Sequence, residues 1–367
     1  MRIALYTSKM NDGGVERTMA NIANYMVSCG HEVLVVTTYL NDDEYELDNR
    51  IKRIISEPSE EQLTGNRIHN FVTRFTTLRN IWKAEKPDVI FSYLGKNNLM
   101  AVATSRWLNI PTGVGVVATP SEEYYTPILE FLAKFLFRFA AGIVLQTKES
   151  KGFFPKAVLK KAVILKNPTS EEFDIDRYEG EREKVIVSVG RVDANKNHEL
   201  IIDAFGNIAR DYPDYKLVIY GDGELRQSLI NKVERMGLSA QIELPGRINN
   251  VADTIKKATV FVLSSQTEGS PNVLIEAMML GLPVISTDCP CGGPAELITN
   301  GVNGVLTPVN DVEKMQDNLQ KILSDLQFAE QIGRAASSTR AIYSPKIVLN
   351  EWKQFLEGLV NTEKGKK

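Results

Sequence analysis

Short apolar runs rich in Val and Ile recur along this chain and alternate with segments of helical period. The first series is RIALYT (2–7), HEVLVVTT (31–38), RIKRIIS (50–56), DVIFSY (88–93), TGVGVV (112–117) and GIVLQ (142–146). The second is VIVSVG (185–190), KLVIYG (216–221), QIEL (241–244), VFVLSS (260–265), PVIST (283–287) and GVLTP (304–308). Several of these runs are apolar throughout, which suits strands covered on both faces. Helices must lie between them. After the Asn11-Asp12-Gly13-Gly14 turn, Val15, Met19, Ile22 and Met26 recur at spacings of four, three and four, the stripe of an amphipathic helix. A strand, a crossover helix and a parallel strand close right-handed in nearly every known case. Two series therefore predict two α/β domains, each a doubly wound parallel sheet. The length of 367 residues agrees, at roughly 100–200 residues per domain.

The boundary is expected near Lys166–Arg182, where Asn167-Pro168 breaks the pattern and a polar stretch follows. The expected domains are residues 1–168 and 182–343, with the last helix (346–360) packing back on the first. Composition excludes several classes. Forty-three basic against 46 acidic residues give a net charge of −3, so bulk phosphate neutralisation, and with it a nucleic-acid partner, is not expected. The charge is uneven: residues 1–165 carry +3 and the remainder −6. The positive excess sits in residues 67–96, from Arg67 to Lys96, and in residues 130–161, from Lys134 to Lys161. It fits an anionic surface as well as it fits solvated helix faces. Three cysteines are too few for a disulfide framework and suit a reducing cytoplasm. The three histidines lie too far apart in sequence for zinc spacing, so no metal is expected. The opening apolar run is cut by a turn, unlike a signal peptide, and no run of about 18 apolar residues predicts a membrane span.

Ligands of open α/β sheets bind beyond the carboxyl ends of strands, where helix N-termini aim their N–H groups. Two such domains would face each other across a cleft. After the first strand come Gly13 and Gly14, which let a backbone approach an anion or simply make a tight turn. After strand 185–190 come Arg191 and Lys196 on one loop before a helix, a pair suited to a diphosphate. This is not a P-loop, because no Gly precedes Lys196 and no Ser or Thr follows it. After strand 260–265 comes Thr267-Glu268-Gly269-Ser270-Pro271-Asn272-Val273-Leu274-Ile275-Glu276. Pro271 suits the first position of a helix, which places Glu276 inside that helix in an apolar neighbourhood. Asp174-Ile175-Asp176 falls in the polar linker and reads as solvated charge. Cys289-Pro290-Cys291 lacks the further Cys or nearby His of a metal pair.

In order, these elements resemble the retaining GT-B glycosyltransferases of family 4. Glu268 and Glu276, with seven residues between, match the family's E-x7-E signature. GRVDANKN (190–197) matches its Gly-Arg…Lys phosphate loop, and NDGGVER (11–17) its N-terminal glycine loop. The stretches 220–226, 244–251 and 281–298 also fit, so the likeness covers nearly the whole chain. It implies a GT-B fold, two Rossmann-like domains facing a cleft, and a metal-independent transfer of a hexose or N-acetylhexosamine. The co-substrate implied is a UDP-sugar; no cofactor is. The acceptor implied is a saccharide or a lipid-linked glycan of cell-surface polysaccharide assembly. Gly13 and Gly14 would approach the donor phosphates, and Arg191 and Lys196 would neutralise the diphosphate. Glu276 would bind the ribose and Glu268 the donor sugar, helped by amides of Gly269, Ser270, Asn272 and Val273. Arg247 would meet the base.

One departure stands out. Relatives often carry a Glu-His pair after the strand near residue 117, and this chain reads Val117-Ala118-Thr119-Pro120-Ser121-Glu122. Thr119 takes the histidine's place, or Ser121, Glu122 or Glu123 substitutes for it. The competing readings are a nucleotide-sugar-binding subunit without catalysis and a UDP-sugar epimerase. Residues 128–139 (ILEFLAKFLFRF) place Phe131, Phe135 and Phe139 at spacing four with Lys134 and Arg138 beside them. That pattern suits an interfacial helix at the inner membrane surface, and equally a helix packed on the sheet.

Overall fold

The structure is a computed structural model and describes residues 1–364 except Asp12 and Ala118. The expected turn at Asp12, the Ala118 position and the last residues of the Lys-rich tail lie outside the described residues. The chain divides into two compact units, Met1–Pro168 with Lys346–Lys367, and Thr169–Pro345.

The first unit holds seven strands: β1 (Arg2–Thr7), β2 (Glu32–Thr37), β3 (Lys52–Ile55), β4 (Val89–Tyr93), β5 (Thr112–Val116), β6 (Gly142–Leu145) and β7 (Ala162–Ile164). All pairings are parallel, in the order β3-β2-β1-β4-β5-β6-β7. Strand β7 was not read from the sequence. It is a three-residue edge strand in a Lys-flanked stretch, too short to show a period. The helices are α1 (Gly14–Ser28), α2 (Arg67–Glu85), α3 (Gly95–Ser105), α4 (Pro120–Glu123), α5 (Pro127–Leu136) and α6 (Lys156–Leu159). Helix α5 stops before residue 139, and Phe137–Phe139 continue as a 3-10 turn. The hydroxyl of Thr126 caps its start by accepting from the Leu129 N–H at 3.2 Å.

The second unit holds β8 (Glu183–Val189), β9 (Lys216–Tyr220), β10 (Ile242–Gly246), β11 (Ala258–Leu263), β12 (Val284–Thr287) and β13 (Val305–Thr307). They are parallel in the order β10-β9-β8-β11-β12-β13. Strand β10 runs on through Pro245, which its edge position tolerates. The helices are α7 (His198–Ile208), α8 (Arg226–Arg235), α9 (Val251–Ile255), α10 (Asn272–Met279), α11 (Gly293–Leu297), α12 (Val312–Ser324), α13 (Leu326–Ala336) and α14 (Arg340–Tyr343). Asp174 and Asp176 are more than solvated charge. Both pair with Arg340 at 2.7 Å, and Asp174 also accepts from the Ser344 hydroxyl. They tie the start of this unit to its end.

The last helix, α15 (Pro345–Lys364), returns to the first unit. Val348, Trp352, Leu356 and Leu359 form one stripe and are buried among the residues of α1 and β1. Each such side chain contributes roughly 1.5–3 kcal/mol when removed from water. Two strand glycines make room for it. A Cβ at Gly113 would lie 2.8 Å from Leu359 Cδ1, and one at Gly142 would lie 2.6 Å from Leu359 Cδ2.

Candidate active site

In the second sheet β8 and β11 are neighbours, and the chain leaves them toward opposite edges. Their outgoing loops therefore diverge and open a crevice at the carboxyl ends, the topological switch point of a doubly wound sheet. The loop after β8 is residues 190–197 and the loop after β11 is residues 264–271, so Arg191, Lys196 and Glu268 all belong to this crevice. Lys196 Nζ and Glu268 Oε1 stand 2.5 Å apart, with 15% and 11% of their side chains exposed. The Ser265 hydroxyl donates to the same carboxylate oxygen at 2.6 Å.

Asn195 stitches the two loops together. Its Oδ1 accepts from the Thr267 N–H and hydroxyl at 3.1 and 3.0 Å, and its Nδ2 donates to the Thr267 carbonyl at 3.2 Å. The Gln266 N–H donates to the Asn195 carbonyl at 2.7 Å, and the Ser264 hydroxyl to the Lys196 carbonyl at 2.8 Å. The sequence reading missed Asn195, Ser264 and Ser265. The signal was there: an apolar strand that ends in two serines puts hydroxyls where β11 meets the crevice.

His198 opens α7 and is fully enclosed. Its Nε2 lies 3.2 Å from the Arg191 carbonyl, which can only accept, so Nε2 carries the proton. Nδ1 then accepts from the Ser188 hydroxyl at 3.3 Å. Burial, with the Lys196 cation close by, pushes the imidazole down to about 4. A folded value below the unfolded 6.5 means the unfolded chain takes up the proton first. Stability is therefore full above about pH 6.5 and falls as the pH drops toward 4. The loss from this group is on the order of 3 kcal/mol. His198→Gln should flatten the acid limb of a denaturation-midpoint profile between those pH values. An unchanged limb would show that His198 does not hold the loop as a neutral ring.

Glycines allow the strand ends to crowd. A Cβ at Gly293 would lie 2.2 Å from the Gly269 carbonyl oxygen and 2.8 Å from that of Glu268. The Gly293 N–H donates to the Glu268 carbonyl at 3.1 Å, and the Glu268 N–H to that of Pro290 at 3.0 Å. The neighbouring Cys289 thiol is pushed up to about 12 by burial and by the Glu268 carboxylate. Cys289 and Cys291 are buried, and Cys29 is exposed.

Arg191 differs from Lys196. Its side chain is 66% exposed and meets Asp193 at 3.1 Å. Glu276 lies in α10 and is 1% exposed. Pro271 precedes α10 as its N-cap, and Asn272 takes the first helical position instead. Gly269 and Asn272 are buried, and Ser270 and Val273 half-buried. Arg247 is exposed just after β10. That strand stands two places from β8, roughly 10 Å at the usual strand spacing.

The first unit has its own switch point between β1 and β4. Asn97 Nδ2, in α3, donates to the Ser8 hydroxyl after β1 at 2.8 Å. Gly13 caps α1 in an extended conformation, and a Cβ there would lie 1.9 Å from Glu16 Oε2. The chain's own carboxylate thus stands against this glycine, and Gly14 is the first residue of the helix. Thr119 precedes α4, and its carbonyl accepts from the N–H groups of Glu122 and Glu123 at 2.8 and 3.1 Å. Its buried hydroxyl has no hydrogen-bond partner among the described residues. Glu123 accepts from the Val117 N–H at 2.7 Å and so fixes the loop that carries Thr119, whereas Glu122 is exposed.

Two family models match successive parts of this chain. Glycosyltransferase Family 4 matches residues 12–151, and glycosyl transferases group 1 matches residues 170–339. The chain is a GT-B glycosyltransferase. Full-length relatives agree with this glycosyltransferase assignment. A Campylobacter jejuni GalNAc-α-(1→4)-GalNAc-α-(1→3)-diNAcBac-PP-undecaprenol α-1,4-N-acetyl-D-galactosaminyltransferase is 28% identical, over 98% of this chain and 99% of the relative. The amylovoran biosynthesis glycosyltransferase AmsD of Erwinia amylovora is 24% identical over 94% and 96%. Among solved structures, sucrose-phosphate synthase of Thermosynechococcus elongatus superposes with a TM-score of 0.82 at 17% identity, covering 98% of this chain and 99% of that one. Anabaena HepE in complex with UDP gives 0.80 at 17%, covering 98% and 100%. At these identities the solved structures show that the glycosyltransferase shares their fold.

Proposed function

We propose that this glycosyltransferase moves a hexose or N-acetylhexosamine from a UDP-sugar to a saccharide or lipid-linked acceptor in cell-surface glycan assembly. The observation that carries the reading is the paired Lys196 and Glu268 beside Arg191 at the switch point of the second sheet. The cations face a leaving diphosphate, and the carboxylate with its Ser265 partner faces sugar hydroxyls. Two relatives support the acceptor class: the C. jejuni enzyme is named for an undecaprenol-linked substrate and AmsD for amylovoran biosynthesis. The UDP in the HepE crystals supports the donor base.

The C1–O bond to the β-phosphate breaks through an oxocarbenium-like state. Negative charge grows on the leaving phosphate oxygen, where Lys196, Arg191 and the amides from Gly269 to Val273 supply fixed positive potential, so the reaction needs no metal. The acceptor hydroxyl bonds to C1 on the same face and passes its proton to the departing phosphate, which retains the anomeric configuration. No carboxylate has to become a nucleophile on this route. Glu276 binds the ribose hydroxyls, Arg247 the base, and the Thr119 hydroxyl a sugar hydroxyl. Catalysis proceeds in the cytoplasm, at the membrane surface when the acceptor is lipid-linked.

Glu276→Gln should raise the donor KM by roughly 10–100-fold, the usual worth of a hydrogen bond to a charged group. Its kcat should change far less, and steady-state kinetics read the split. The function itself is tested by donor hydrolysis with UDP-, GDP- and ADP-sugars. Turnover confined to a UDP-hexose or UDP-N-acetylhexosamine is expected. Tight binding without turnover would indicate a binding subunit, and interconversion of the sugar an epimerase.

A further inference from the structure

Helices α2, α3 and α5 share one face of the first sheet. Leu78, Trp82 and Ala101 pack on Ala4, Tyr6 and Ile90, while Leu99, Ala133 and Phe137 pack on Val114, Val116 and Ile143. The other face is covered by α1 and α15. The two basic windows of the sequence, separate along the chain, thus come together on one layer.

That layer turns aromatic rings outward. On α5 and the turn after it, the face opposite Ala133 and Phe137 exposes Phe131, Phe135 and Phe139. Phe131 and Phe135 stack at 6.1 Å, and Phe139 meets Phe135 edge-on at 5.5 Å. Trp107, in the turn after α3, is 79% exposed. The Arg106 guanidinium lies 4.0 Å from the centre of Phe139 and 5.5 Å from that of Trp107, so it joins the two elements. The layer's carboxylates are taken: Glu130 pairs with Lys134, and Glu85 with Arg2 and Lys52. Arg67, Lys83, Lys86, Arg106 and Arg138 are left to set the sign of the surface.

We infer that the outer face of α2, α3 and α5 docks on an anionic lipid bilayer, with Trp107 and the α5 phenylalanines as its anchors. Exposed Trp and Phe beside cations are the composition that partitions into a headgroup region, because the rings leave water while the cations meet lipid phosphates. A protein partner's surface would need acidic groups opposite these five cations, whereas an anionic bilayer offers them at every position. The inference extends the lipid-linked acceptor reading and is independent of the donor chemistry.

The tryptophans supply the test. Trp82 and Trp352 are wholly buried, so Trp107 alone of the three can sense lipid. Full-length protein is mixed with phosphatidylcholine vesicles containing about one-third phosphatidylglycerol at ~50 mM salt. Co-sedimentation is expected, with a blue shift of the emission and quenching by brominated lipid chains. Release is expected at ~0.5 M salt. Phe131→Ser with Phe135→Ser should lower the bound fraction at least ~10-fold. UDP-sugar hydrolysis in solution should be unchanged, which also reports that the variant is folded. Arg106→Glu with Arg138→Glu should remove the preference for anionic vesicles. Wild-type protein left in the supernatant, or Trp107 emission indifferent to vesicles, would overturn the inference. So would a wild-type dimer that the Phe variant dissociates, since the face would then belong to a second copy. Hydrolysis measured in the same samples separates these outcomes from a failure of the proposed function.

Discussion

Lys196→Ala is expected to lower kcat/KM for the donor at least ~100-fold, and Arg191→Ala by a similar factor, the usual loss when one charge-stabilising group leaves an active site. The two should differ in what else they do. Lys196 is enclosed and paired with Glu268 at 2.5 Å, so its removal leaves that carboxylate with the Ser265 hydroxyl and no cation at this distance. Stability should fall as well, because a half-buried charge has lost its partner. Arg191 is largely exposed, so its loss should leave the melting temperature unchanged and show in kinetics alone. Lys196→Arg should rescue poorly, since a planar fork cannot replace a point charge held this closely. Steady-state rates with a UDP-sugar, beside thermal melts, distinguish the cases. Near-normal rates in both alanine variants would remove the diphosphate from this crevice.

The second large effect is structural. Gly221 follows β9 with a φ of +141°, and a Cβ there would lie 1.8 Å from the Gly190 carbonyl oxygen. Neither backbone can retreat cheaply. The Gly190 N–H donates to the Tyr220 carbonyl at 3.0 Å, and the Gly221 N–H to that of Gly246 at 2.9 Å. Gly221→Ala must break one of these bridges between the ends of β8, β9 and β10. A cost of about 3 kcal/mol or more is expected, lowering the melting temperature by roughly 10 °C. Gly237→Ala is the matched control, with a φ of +70° and nothing within 4 Å of the new Cβ. It should cost only about 1–2 kcal/mol, the strain of a left-handed conformation. Calorimetry of the pair separates crowding from strain, and equal shifts would contradict the crowding account.

The two sheets were legible in the sequence because a parallel strand covered on both faces is written as an unbroken apolar run. VFVLSS and HEVLVVTT announce β11 and β2 within two residues of their ends. β7 was not legible, because an edge strand of three residues needs no such run. Arg191, Lys196 and Glu268 were legible as polar residues placed just after strands, and the fold gathers them at one switch point. Their supports were not. Asn195 acts through a backbone carbonyl, N–H and hydroxyl whose positions depend on how two loops about 70 residues apart meet, and His198 through a carbonyl and a hydroxyl that only the turn of its own loop brings within reach. The exposed side of α5 was legible only as a pair of alternatives, since phenylalanines at spacing four suit a core as well as a bilayer. Ala133 and Phe137 are buried whereas Phe131 and Phe135 are exposed, so the core alternative holds for one side of the segment and does not account for the phenylalanines.

The most direct measurement is a crystal structure of the protein soaked with UDP. The account predicts the β-phosphate within about 3 Å of Lys196 Nζ, between the loops that follow β8 and β11, with the ribose at Glu276. A nucleotide bound elsewhere, or a diphosphate that leaves Lys196 paired only with Glu268, would contradict it.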